Sequence, residues 1–150
     1  MLDRHQARSA AFQTLFMLES SSDLTPDLAI SEVLTTTQNK TDDQPIQLDL
    51  NDPNQVYLQQ LVHGVVERQT ELDQALTPKL KGGWTLKRLS KTDLLILRLG
   101  LFEIENAAVP QAVAINEAIQ LAKEFSDDQS AKFINGVLAK FIENGSDHKS

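Results

Sequence analysis

Apolar residues recur along this chain at intervals of three and four, and no stretch alternates convincingly at every second position, so the pattern predicts helices throughout. Ala7, Ala11, Leu15 and Leu18 lay one apolar stripe on a first helix of about four turns, which Ser20 to Asp23 end. Thr25-Pro26 and Asp52-Pro53 each set a cap-competent side chain in front of a proline suited to the first helical position, so helices begin at both. Val56, Leu58, Leu61, Val62, Val65 and Val66, then Leu72, Ala75 and Leu76, fit one long helix or two in succession, stopped by Lys81-Gly82-Gly83. Ser90 and Asp93 form a capping box ahead of a helix over residues 94–105, with Leu94, Leu97, Leu101 and Ile104 as its buried face. Asn106 to Pro110 separate it from a stripe of Ile115, Ala118, Ile119 and Ala122, whose small residues allow close packing on a neighbour. Ile134, Val137, Leu138 and Phe141 mark a last helix, closed by Asn144-Gly145.

The expectation is an all-α fold, a compact bundle of six or seven helices in two subdomains. One domain spans 1–150, with an N-terminal half at about 1–81, a C-terminal half at about 84–143, and Gly82-Gly83 between them. Thr35 to Asn51 is polar, acidic and without period, which reads as a loop after a short helix.

Composition narrows the function classes. At 150 residues the chain can bury roughly 68–70% of its unfolded surface, so it needs no covalent staples. It has no cysteine, which removes disulfides, zinc ribbons and thiol nucleophiles. No signal core and no membrane-length apolar run occurs, so a cytoplasmic protein without a membrane partner is expected. The net charge of −7 looks wrong for a nucleic-acid binder until it is divided along the chain. Residues 20–55 hold seven acids against Lys40, a net of −6 that leaves −1 for everything else. Residues 79–98 carry Lys79, Lys81, Lys87, Arg88, Lys91 and Arg98 against Asp93 alone, and binding depends on the local potential that phosphates meet. A solvated helix face would show the same run.

No catalytic constellation is present. His5, His63 and His148 stand apart, none with a partner at metal-ligand spacing, and there is no GxSxG elbow or phosphate-cradling glycine loop. Neither a metal nor a cofactor is expected. Recognition surfaces are better represented. Arg4, Arg8, Phe12 and Phe16 follow one another at steps of four, a ridge where cations lead into aromatic rings. Cations neutralise phosphates and rings stack on unpaired bases, which suits single-stranded RNA, although Phe12 fits the core better and Phe16 fits it equally well. Phe125, Gln129, Lys132 and Phe133 form a second such group around a turn opened by Ser126. Trp84, among lysines and an arginine, is a third candidate, but a Trp after a glycine pair better suits the seam between two helical halves.

Several of these segments resemble the NusB family of transcription antitermination factors: Arg88-Leu89 with Asp93, Ile96-Leu97-Arg98-Leu99, Phe102-Glu103-Ile104, Val109-Pro110, VAINEAIQLAK at 113–123 and KFINGVL at 132–138. The resemblance runs from the first helix to about Phe141. It implies two helical subdomains, no enzymatic activity, and binding of single-stranded boxA RNA from ribosomal RNA leader transcripts together with the ribosomal protein NusE, so that RNA polymerase in an antitermination complex reads through terminators. Carried over residue by residue, it implies RNA contacts at Arg4, Arg8, Phe16, Phe125, Gln129, Lys132 and Phe133, and a protein-partner surface at Asp93 and Arg98. The segment Arg4-His5-Gln6-Ala7-Arg8 is thinner in arginine than the family's usual run, Phe16 stands where tyrosine is common, and the acidic stretch 20–55 is longer than expected. Two other readings remain open: the RNA-binding appendage of a ribosomal RNA methyltransferase, though no Gly-rich cofactor-binding region accompanies it, and a structural homo-oligomer, with a homodimer masking the RNA surface.

Overall fold

A computed structural model describes residues 2–21, 23–37, 49–106 and 109–142. Among them the chain is all-α, with seven α-helices and no strand: α1 (Arg4–Ser20), α2 (Pro26–Thr37), α3 (Pro53–Glu67), α4 (Gln69–Leu76), α5 (Lys91–Asn106), α6 (Gln111–Phe125) and α7 (Asp128–Leu138). Short 3-10 turns at Thr77–Lys79, Leu86–Arg88 and Ala139–Phe141 join or end them. No helix among the described residues is long and apolar enough to cross a membrane. The chain divides into two compact units, Met1–Glu67 and Arg68–Ser150.

In the first unit α1 packs on both α2 and α3. Its start is fixed by a reciprocal cap, in which Asp3 Oδ1 accepts from the Gln6 amide at 2.7 Å and Gln6 Oε1 accepts from the Asp3 amide at 2.9 Å. Ala7, Ala10 and Ala11 are almost fully buried, so the backbone of α1 can come close to its neighbours, while Ile30, Leu34, Leu58, Leu61 and Val62 fill the space between. Both prolines do open helices. Thr25 Oγ1 accepts from the Leu28 amide at 3.3 Å, and Asp52 Oδ1 accepts from the Asn54 amide at 2.9 Å. The loop expected over 35–51 is helical as far as Thr37, and residues 38–48 lie outside those described.

The second unit is organised around α5. Every residue from Leu95 to Ile104 is buried, so the helix has no solvent face there, which is the mark of a central helix rather than an amphipathic one. The four-residue stripe expected from periodicity is therefore too narrow, and its first member, Leu94, is only half-buried. α4, α6 and α7 all pack on this helix. At Gly100 two of them approach closely: a Cβ there would sit 2.7 Å from Leu138 Cδ1 of α7 and 3.2 Å from Ala118 Cβ of α6. Glycine is required by that approach, since Leu138 is itself fully buried and its methyl has little room to yield.

Arg98 corrects an expectation. The resemblance implies that it lies on the protein-partner surface, yet it is 6% exposed, and its guanidinium grips Asp73 of α4 through Nε at 2.8 Å and Nη2 at 2.9 Å. The planar fork matches a carboxylate bidentately, so a basic residue in the middle of an apolar helix becomes the clamp that holds α4 on α5. Asp73→Ala, which removes both charge-assisted bonds from a buried guanidinium, should cost about 2–3 kcal/mol in urea unfolding. The double variant Asp73→Leu/Arg98→Met should recover most of that loss; no recovery would show that the ion pair is not what the substitution broke.

Candidate nucleic-acid interface

The expected RNA contacts fall in two groups, one in each unit. In the first, steps of four residues turn by about 40° around a helix, so the ridge Arg4, Arg8, Phe12, Phe16 cannot stay on one face. Arg4 is exposed at the start of α1, with Nε donating to Asn54 Oδ1 at 3.0 Å and its guanidinium 3.9 Å from the Tyr57 ring centroid. Asn54 in turn donates to the Leu2 carbonyl at 2.9 Å, so the first turn of α1 is tied to α3. Arg8, expected on the surface, is buried instead, 3% exposed and with its guanidinium 5.5 Å from the same Tyr57 ring. Phe12 is core at 4%, and Phe16 emerges again at 38%, its ring 6.0 Å from that of Phe12. The ridge starts in solvent, dips against α3 and resurfaces.

The second group sits at the junction of α6 and α7. Phe125 ends α6 half-buried, and Asp127 caps α7 by accepting from the Ser130 amide at 2.8 Å. The cap orients the first turn of α7, from which Gln129 and Lys132 are exposed and the Phe133 ring is half-covered. What covers Phe133 is Trp84, with ring centroids 6.5 Å apart and planes tilted by 48°. Trp84 is 49% exposed, which does not fit the seam role suggested by its place after two glycines. The Arg88 guanidinium lies 5.4 Å from the Trp84 ring and donates through Nη1 to the Gly83 carbonyl at 2.9 Å. Gly83 holds φ +87°, a left-handed conformation that turns the chain so that Trp84 meets Phe133.

Two clefts flank this aromatic pair. A smaller one, about 190 Å³, is bordered by Lys79, Lys81, Lys132 and Lys140. A larger one, about 420 Å³, holds Ser90, Asp93, Asp127, Gln129 and Ser130, with Arg88 at its side. Asp93 is half-buried in the first turn of α5, where its amide donates to Ser90 Oγ at 3.1 Å, and its Oδ1 is buried with no hydrogen-bond partner. Burial pushes the Asp93 carboxyl above its usual range and the charge of Asp127 adds to that, while the Ser130 and Ser90 hydroxyls pull it back.

The NusB family model matches residues 5–143. The chain belongs to the NusB family. It is 52% identical over 144 residues to the transcription antitermination protein NusB of Lacticaseibacillus paracasei, spanning 95% of this chain and 96% of that one. It is 43% identical over 141 residues to the protein of the same name from Ligilactobacillus salivarius, spanning 94% and 98%. Among solved structures, T. maritima NusB superposes with a TM-score of 0.75 at 28% identity, covering 93% of this chain and 89% of that one. A chain described in "Crystal Structure of Antitermination Factors NusB and NusE in complex with dsRNA" superposes at 0.74 with 24% identity, over 91% and 93%, a likeness of fold.

Within this NusB-family chain the residues that sequence reasoning undervalued are Trp84, Arg88 and Tyr57. The signal for Trp84 was its setting among Lys79, Lys81, Lys87 and Arg88; Tyr57 had none, because its role arises only when α1 lies on α3.

Asp93 yields a pH prediction. Its folded pKa is raised, so its contribution to stability is fully present below the unfolded value, about 3.9, and is lost as pH rises through the folded one. Asp93→Asn should therefore stabilise the chain relative to wild type more at pH 7 than near pH 4, as read from denaturant melts at both. A difference that does not vary with pH would mean that the carboxyl is not desolvated.

Proposed function

We propose that this chain is a transcription antitermination factor that binds single-stranded boxA-type RNA of ribosomal RNA leader transcripts jointly with the ribosomal protein NusE, and thereby promotes read-through by RNA polymerase in the cytoplasm, without catalysis of its own. The observation that carries the reading is the pair Lys132 and Phe133 on α7, an exposed ammonium beside a ring that rests on an exposed Trp84. An ammonium for a phosphate and π-faces for unpaired bases are what sequence-tolerant recognition of a single strand requires. Relatives that share 42–52% identity carry the name transcription antitermination protein NusB, and a chain of this fold occurs beside NusE and double-stranded RNA in one of the structures above.

In this reading Arg4, Phe16, Phe125, Gln129, Lys132 and Phe133 touch RNA. Arg8 belongs to the same function by positioning: buried against Tyr57, it steadies the ring on which the Arg4 guanidinium rests. The partner surface for NusE includes the half-buried Asp93 in the first turn of α5, while Arg98 supports that helix from inside through Asp73. A self-associating helical protein remains the alternative.

Gel shifts with boxA RNA, with and without NusE, test the proposal. Phe133→Ala should weaken binding roughly 5- to 150-fold, the range of one lost base stack. Lys132→Ala should lower the salt slope by about 0.7. Wild-type-like binding by both variants in the presence of NusE removes the proposed site, and a homodimer by light scattering whose RNA surface stays masked when NusE is added favours the self-association reading.

A further inference from the structure

Trp84 is a large apolar side chain left 49% in solvent, yet it is held on several sides. Its amide donates to the Lys81 carbonyl at 3.0 Å, its ring meets Phe133, and Arg88 reaches over it while tethered to Gly83. An exposed indole kept in place by its neighbours, rather than folded away, presents a ready π-surface at low entropic cost.

The two clefts on either side of it differ in charge. The smaller is bordered by four lysines and no carboxylate. Lys140 is drawn to its edge because Nζ donates to the Lys79 carbonyl at 2.7 Å, and Lys79 Nζ lies 5.6 Å from the Phe141 ring, which keeps both cations near one another despite their repulsion. Such a cluster is relieved by an anion that several ammonium groups can share. The larger cleft carries Asp127 and Gln129, whose side-chain oxygens can accept hydrogen bonds from the N–H edges of bases, while the Asp127 charge repels phosphate.

We propose that Trp84 stacks on a base of bound single-stranded RNA and that Lys79, Lys81 and Lys140 hold the phosphates of the same stretch, so that the strand crosses the Trp84–Phe133 pair with its backbone toward the lysines and its base edges toward Asp127 and Gln129. The inference rests on the RNA-binding reading above and extends it to four residues and a strand orientation. A duplex hides its base faces and cannot use the ring; an acidic peptide could meet the lysines but has no use for an exposed indole beside a phenyl.

Trp84 is the chain's one tryptophan, so fluorescence excited at the long-wavelength edge of indole absorption, where Tyr57 does not absorb, reports on it alone. The full chain is titrated with a single-stranded boxA oligonucleotide of about 12 nucleotides, with the corresponding duplex, and with polyglutamate, and gel shifts are run in parallel. The single strand should quench Trp84 saturably, with the midpoint found in the gel shift, and the duplex and polyglutamate should not. Trp84→Leu should weaken binding roughly 5- to 150-fold, with Trp84→Phe retaining most of the affinity, and Lys79→Gln/Lys81→Gln should lower the salt slope by about 1.4. Circular dichroism melts confirm that each variant folds, and the wild-type quench stands whatever a variant does. RNA that shifts in the gel while Trp84 fluorescence stays unchanged overturns this inference and leaves the RNA-binding reading intact. Quenching by the duplex equal to that by the single strand overturns the stacking, and polyglutamate that quenches Trp84 and displaces RNA assigns the cleft to an acidic protein. Absence of any gel shift, with or without NusE, defeats the RNA-binding reading itself.

Discussion

A helix without a solvent face constrains the C-terminal unit. Ten consecutive residues of α5 are buried, and three other helices must lie around it, so their spacing is set by what α5 presents. At Gly100 it presents no side chain, and Leu138 of α7 and Ala118 of α6 close into the gap. A few ångströms at that contact determine where α7 lies, and hence where Phe133 meets Trp84. Core packing and the exposed Trp84–Phe133 surface are in this way one problem, because close-packed interiors transmit displacements rather than absorb them.

The charges of the molecule divide by the same logic. Arg98 belongs to the basic run by sequence but to the interior by structure, where its fork and the Asp73 carboxylate neutralise one another. Lys79, Lys81, Lys132 and Lys140 remain outside and gather around one cleft, although Lys132 and Lys140 are far along the chain from the first two. A net charge of −7 is compatible with this patch because the acidic excess is concentrated in residues 20–55. Asp93 sits between the two regimes, half-buried and close to Asp127, and its carboxyl is the described group in this cleft whose proton affinity is raised.

Much of the fold was legible in the residues. Apolar periodicity, Thr25-Pro26, Asp52-Pro53 and the Ser90 cap located the helices, and the break between α3 and α4 was allowed for without being placed. The segments VAINEAIQLAK and KFINGVL pointed to the NusB family, which the match over residues 5–143 shows. Of the two candidate clusters, Lys132 is exposed and Phe133 half-covered on a helix whose Ile134 and Leu138 are buried. Arg8 and Arg98 were misread for one reason: charge in a sequence suggests solvent, and only a partner brought in from another helix, Tyr57 or Asp73, reveals that a guanidinium is satisfied inside.

The order of the elements and the starts of most helices follow from the chain read alone, because caps, prolines and the 3.6-residue period act over a few neighbouring residues. Tertiary structure alone decided that α5 is buried on all sides, that Arg98 is a clamp, and that Trp84 stands in the open against Phe133 between a basic and an acidic cleft. Each of those depends on groups tens of residues apart in sequence, and burial and charge pairing are properties of the space between such groups, which local pattern does not encode.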